Sequence, residues 1–173
     1  FGLMRGFQLW INLPAVNKMD RPEYMEYTEE MFPVVKFPNY TVKVLVGHFD
    51  GIDAPIIDSV TEVTYLDVQL QPKKDFRYDL PKGNSNFIYV FEGYGTLAGQ
   101  AVSHHSLAIP GLSDNGSITF LAGNRGARFI VVSGKPIHEP IVRYGPFVMS
   151  TKEQIDQAMK DFQSNQFIRE RAW

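Results

Sequence analysis

The chain is predicted to be mostly β, a sandwich or closed barrel of short strands ending in one α-helix. Three observations predict this. Apolar runs of strand length recur between turn signals, one run alternates strictly at period two, and a single stretch near the C-terminus keeps a helical apolar stripe. At 173 residues the chain can bury roughly 70% of its extended surface in one compact domain.

The strand-length runs are residues 7–13, 42–46, 64–70, 87–91, 118–122 and 129–132. Thr64, Leu66, Val68 and Leu70 fall at every second position, so one face is expected to be buried. Phe76, Tyr78 and Leu80 repeat that spacing. Between the runs stand Asp50-Gly51, Pro72-Lys73-Lys74-Asp75, Pro81-Lys82-Gly83-Asn84, Gly93-Tyr94-Gly95, Pro110-Gly111, Asn115-Gly116 and Gly123-Asn124. Many short strands with this punctuation suit a sandwich or barrel. A weaker helical turn is expected within residues 23–31, after Pro22.

The C-terminal helix is read from Ser150 as N-cap, with Glu153 in the reciprocal position of a capping box. Ile155, Ala158, Met159 and Phe162 then recur at i, i+3, i+4 and i+7, and Asn165 is the expected stop. Just before it, residues 134–149 hold three prolines and two glycines in sixteen residues, which excludes a regular helix or a central strand.

Seventeen basic and nineteen acidic residues give a formal charge of −2, with no basic stripe, so direct nucleic-acid binding is not expected. There is no cysteine, which excludes disulfides and thiolate metal sites. No run approaches eighteen apolar residues, and Phe1-Gly2-Leu3-Met4-Arg5 is too short for a signal peptide, so an intracellular, soluble protein without membrane association is expected. A chain that opens on Phe1 is expected to be a fragment, or to begin downstream of its natural start.

Individual motifs give little chemistry. His104-His105 is the one histidine cluster, and neighbours on a strand point to opposite faces, so the two are not expected to chelate one ion. His48 is expected to end a strand, and His138 and Glu139 to diverge as neighbours in an extended segment. Gly93-Tyr94-Gly95 with Gly99 lacks the lysine and hydroxyl of a phosphate loop and reads as a hairpin turn. Ser103, Ser106 and Ser133 have no nucleophile elbow around them. Phe7 and Trp10 read as core aromatics before they read as a ligand wall.

Gly6-Phe7-Gln8-Leu9-Trp10-Ile11-Asn12-Leu13-Pro14, Lys18-Met19, Pro22, Tyr24, Tyr65-Leu66-Asp67, Phe87-Ile88-Tyr89, Gly93, Glu139-Pro140 and Gly145-Pro146-Phe147-Val148-Met149 together resemble the pirin family, in its order and rough spacing. Pirins are two-cupin chains, and the resemblance is to the C-terminal half. It implies a cupin-type β-sandwich or jelly-roll barrel at residues 15–149, an inter-cupin crossover strand at 1–14, and a C-terminal helix and tail at 150–173. The family's metal ligands, three histidines and a glutamate, lie in the first cupin, and none of them is matched here. If Gly93 and Gly116 anchor the cupin motifs, the equivalent slots fall near residues 79–82, at Asn86 and near Thr119, which offer no histidines and no glutamate. No catalytic, cofactor-binding or metal residue is therefore assigned in this chain.

The resemblance implies an iron-type divalent metal in the absent N-terminal cupin, and for the intact protein quercetin 2,3-dioxygenase-like chemistry. A redox-sensitive regulatory role, as a transcription cofactor without turnover, is the alternative, with a cytoplasmic location, or a nuclear one in a eukaryote. A stand-alone cupin that binds a small molecule is a third reading. The expected partners are the N-terminal cupin, a regulatory protein, or a second copy of the chain. The last would meet an apolar patch drawn from Phe7, Leu9, Trp10, Phe147, Met149 and the helix stripe.

Overall fold

A computed structural model of the chain describes residues 6–110 and 116–168. The opening pentapeptide and the Gly111 and Asn115 parts of two turn signals lie outside the described residues. The chain divides into two units, Glu26–Pro136 and a second made of Phe1–Met25 with Ile137–Trp173.

Among the described residues, the first unit holds ten strands. They are β1 (Val34–Lys36), β2 (Tyr40–Val46), β3 (His48–Phe49), β4 (Ile52–Asp53), β5 (Thr64–Leu70), β6 (Asp75–Asp79), β7 (Ser85–Leu97), β8 (Gln100–Val102), β9 (Ser106–Ala108) and β10 (Ser117–Gly134). Eight form one sheet in the order β1-β2-β5-β10-β7-β8, with β6 on β10 and β9 on β7, while β3 and β4 make a separate hairpin. All these pairings are antiparallel.

Alternation sets the inner face. Thr64, Leu66, Val68 and Leu70 are all buried, as their period requires. The core gathers Val42, Val44, Leu66, Val68, Ile88, Val90 and Val131 around Phe76, Phe120 and Phe129. The two runs at 118–122 and 129–132 belong to one strand, β10. Its register shifts between Ala122 and Ala127, where the segment 123–126 lies opposite Tyr94 alone. Such a bulge bends a strand and raises its twist, which lets one strand serve both β6 and β5. Gly93 and Gly95 sit in β7 at this bulge, so they are not the expected hairpin turn; that turn is at Ala98 and Gly99, both at positive φ. Gly93, at φ +73°, faces Gly126 so closely that a Cβ would stand 2.2 Å from its carbonyl oxygen.

Outside the inner face, Arg128 makes a two-pronged ion pair with Asp67, Nε to Oδ1 at 3.0 Å and Nη2 to Oδ2 at 2.5 Å. Its guanidinium lies 5.3 Å from the Phe91 ring centroid. This ties β10 to β5 where the two strands already pair, at Arg128 and Gln69.

The second unit contains a 3-10 turn at Ala15–Asn17, a hairpin of β11 (Val142–Tyr144) and β12 (Phe147–Met149), and α1 (Lys152–Gln163). The proline-rich segment supplies the hairpin, turning at Gly145 and Pro146. Residues 7–13 are not a strand. Their apolar pattern is present, but the segment joins no ladder among the described residues, and a strand exists only where a neighbour takes its backbone groups. The helical turn expected over 23–31 reduces to a 3-10 turn at Glu29–Met31, in the first unit.

The helix begins one residue later than expected from Ser150. Thr151 is the N-cap, accepting from the Gln154 N–H at 3.3 Å, and Gln154 Oε1 accepts from the N–H of Thr151 at 3.1 Å. Both Ser150/Glu153 and Thr151/Gln154 fit the capping-box pattern, and the extended backbone at Thr151 selects the second. Ser164 closes the helix and Asn165, at φ +58°, takes the left-handed conformation that stops it. Ile155 and Ala158 are buried against Met149, whereas Phe162 is 62% exposed, so the apolar stripe is covered at one end only.

Candidate functional site

Among the described residues, the barrel interior does not gather the donors a cupin metal needs. Asp79 points outward with its side chain 82% exposed, 3.6 Å from Arg77. Thr119 is likewise exposed, because Ile118 and Phe120 on either side of it face inward. Asn86 donates from Nδ2 to the Asn84 carbonyl at 2.9 Å, while the Asn84 amide donates to Ser133 Oγ at 3.0 Å. The space inside is taken by rings: Phe120 and Phe129 lie 4.5 Å apart, Phe76 meets Phe129 edge-on at 5.7 Å, and Tyr40 meets Phe76 at 5.1 Å. Among the described residues there is no cluster of three or more histidine, cysteine, aspartate or glutamate side chains. These side chains do not make up the nitrogen and carboxylate donor set that a divalent transition metal takes.

The histidines are placed differently from the expectation. His104 and His105 are in a turn between β8 and β9, not on a strand, and His105 is at φ +59°. Their rings stack at 3.7 Å instead of pointing to opposite faces, with His104 Nε2 2.9 Å from the Phe91 carbonyl oxygen. Stacked rings direct their lone pairs side by side, which does not chelate. His48 opens β3 rather than ending a strand. His138 is exposed at φ +56°, while the half-buried Glu139 turns away to accept the Ala15 N–H at 2.7 Å.

That last bond joins motifs from opposite ends of the sequence within the second unit. Glu139 holds the start of the 3-10 turn, and three residues on, Lys18 donates from Nζ to Asn12 Oδ1 at 2.5 Å. Burial lowers the Lys18 pKa from its ordinary value, while the Glu139 carboxylate acts in the opposite direction. Beside them runs a groove of about 370 Å³, walled by Trp10, Ile11, Asn12 and Leu13 on one side and Pro146, Phe147, Val148 and Met149 on the other, with Lys18 and Phe167 completing it. Trp10 is 66% exposed and so is not the core aromatic that its setting suggested. Lys18, Asn12 and Phe167 carry no local signature of a site, since the two walls are more than 120 residues apart in sequence.

Comparison with known proteins agrees with this architecture. The family model described as the pirin C-terminal cupin domain matches residues 65–168. A Pseudomonas aeruginosa protein named for quercetin 2,3-dioxygenase is 41% identical over 167 residues, covering 93% of this chain and 58% of that protein. Pirin-1 of Arabidopsis thaliana is 36% identical over 163 residues, covering 92% and 56%. The crystal structure of quercetin 2,3-dioxygenase from Acinetobacter baumannii superposes with a TM-score of 0.83 at 25% identity, covering 91% of this chain and 55% of that one. The chain thus spans a little over half the length of these relatives. With a ten-strand antiparallel unit, the expected C-terminal helix and a family match over most of its length, the chain belongs to the pirin family and corresponds to its C-terminal cupin.

Proposed function

We propose that this chain is the metal-free cupin half of a two-cupin protein, and that the intact protein performs quercetin 2,3-dioxygenase-type chemistry at an iron-type metal held in its other cupin. The observation that carries this reading is a pairing. The chain is 41% identical to a relative named for that activity, yet its own barrel is filled with phenyl rings where ligands would converge. Its part is then structural, with residues 1–14 crossing between cupins, 15–149 forming the cupin domain and 150–173 the closing helix and tail.

The second unit supports this part. Among the described residues its buried cluster is Met149, Ile155 and Ala158, while Phe7, Trp10, Tyr144 and Phe162 stay substantially exposed. So much exposed apolar surface on so small a core calls for a cover, the N-terminal cupin or, without it, a second copy. Leu9 and Phe147 are half-buried and Met149 is buried, so they contribute less than Trp10 and Phe162. No described helix is long and apolar enough to cross a membrane; the reading places the protein inside the cell, in the nucleus if the source is eukaryotic.

Metal content and oxygen uptake with quercetin, measured on the complete gene product and on residues 1–173, test this. Stoichiometric iron and quercetin-dependent uptake are expected in the complete protein and neither in the fragment. Iron without uptake would favour the regulatory role. Turnover by the fragment would overturn the reading.

A further inference from the structure

The groove between residues 10–13 and 146–149 has a chemical character of its own. Among the described residues, its one charged lining side chain is Lys18, and no carboxylate lines it. Three of its lining side chains are aromatic, Trp10, Phe147 and Phe167, with the last two in tilted contact at 5.2 Å between ring centroids. A cation at one end of an aromatic slot selects an anion attached to a flat ring, because the ring gains contact area while the anion meets the ammonium. Its volume of about 370 Å³ falls at the small end of ligand sites.

We propose that this groove binds a planar aromatic monocarboxylate, its ring beside Trp10 and Phe147 and its carboxylate on the Lys18 ammonium. Asn12 orients that ammonium, while Glu139, which acts on it through charge, lies outside the groove lining and accepts the Ala15 N–H. An ammonium has three donors, so accepting a carboxylate does not require release of Asn12. Partial burial, which disfavours the charged amine, is offset when an anion arrives. Binding here uses only residues of this chain and does not depend on the chemistry of the other cupin, but it requires that a cover over this unit leave Trp10 open to the groove.

The test is a titration of residues 1–173 with 2-naphthoate and with its neutral counterpart 2-naphthalenemethanol. Trp10 emission is read in a Trp173→Phe background, where it is the sole indole. The acid should bind about tenfold more tightly than the alcohol, and the difference should shrink as salt rises from about 0.05 to about 0.5 M. Lys18→Met should weaken the acid about tenfold and leave the alcohol unchanged, whereas Lys18→Arg should retain most of the preference. No response of Trp10 to the acid at millimolar concentration would overturn the assignment. So would equal affinity for acid and alcohol, which marks adhesion to apolar surface alone. If Lys18→Met does not fold, the acid–alcohol comparison on the parent chain decides by itself.

Discussion

Replacing Gly93 with alanine would place a methyl carbon 2.2 Å from the Gly126 carbonyl oxygen and 3.0 Å from the Ala127 Cα. Both are backbone atoms, so no side-chain rotation can relieve the contact. Two costs add. The left-handed conformation at φ +73° costs an alanine roughly 1–2 kcal/mol. Opening the bulge between β7 and β10 to admit the methyl costs about another 1–3 kcal/mol, the range for overpacking a tight site. Gly99→Ala separates the two, because Gly99 has φ +79° and a Cβ added there would meet nothing within 4 Å. It should lose only the conformational part. Urea denaturation followed by far-UV circular dichroism gives both values, and Gly93→Ala should be the less stable variant by at least about 1 kcal/mol. Equal destabilisation of the two variants would refute the close approach of the strands at this bulge.

Three further outcomes follow from particular contacts. Thr151→Ala should cost about 1 kcal/mol in thermal denaturation and Ser150→Ala close to nothing, because the cap is Thr151 and the buried Ser150 Oγ has no hydrogen-bond partner among the described residues. Ile155→Ala should cost about 2–4 kcal/mol, while truncating the 62%-exposed Phe162, which touches Phe147 edge-on, should cost less than about 1.5 kcal/mol; a larger loss at Phe162 would mean that face is covered in solution. Asp58 is subject to burial, which raises its pKa, but the hydrogen bonds from Thr61 and Val60 prevail and lower it. A depressed carboxylate stabilises the fold above its unfolded value and loses that contribution as pH falls through the folded value, so Asp58→Asn should flatten the decline in stability below about pH 4; an unchanged acid limb in urea titrations would sink this.

Period and punctuation alone decided much of the barrel. Alternation at Thr64, Leu66, Val68 and Leu70 determined both a strand and its buried face, because side chains on a strand repeat every two residues whatever the neighbour. The helix stripe and Asn165 likewise located α1 to within a residue. Which of two overlapping capping boxes is used could not be read, since it depends on the backbone angle at Thr151. The same holds for residues 7–13, apolar enough for a strand but without a ladder partner among the described residues, and for Gly93, whose role depends on Gly126 across the sheet. The family motifs were legible as motifs, yet nothing local says that Glu139 would meet Ala15 or that Trp10 would face Phe147. Those pairings bridge more than 120 residues, and only the folded chain brings Glu139 within hydrogen-bonding distance of Ala15 and sets Trp10 and Phe147 along one groove.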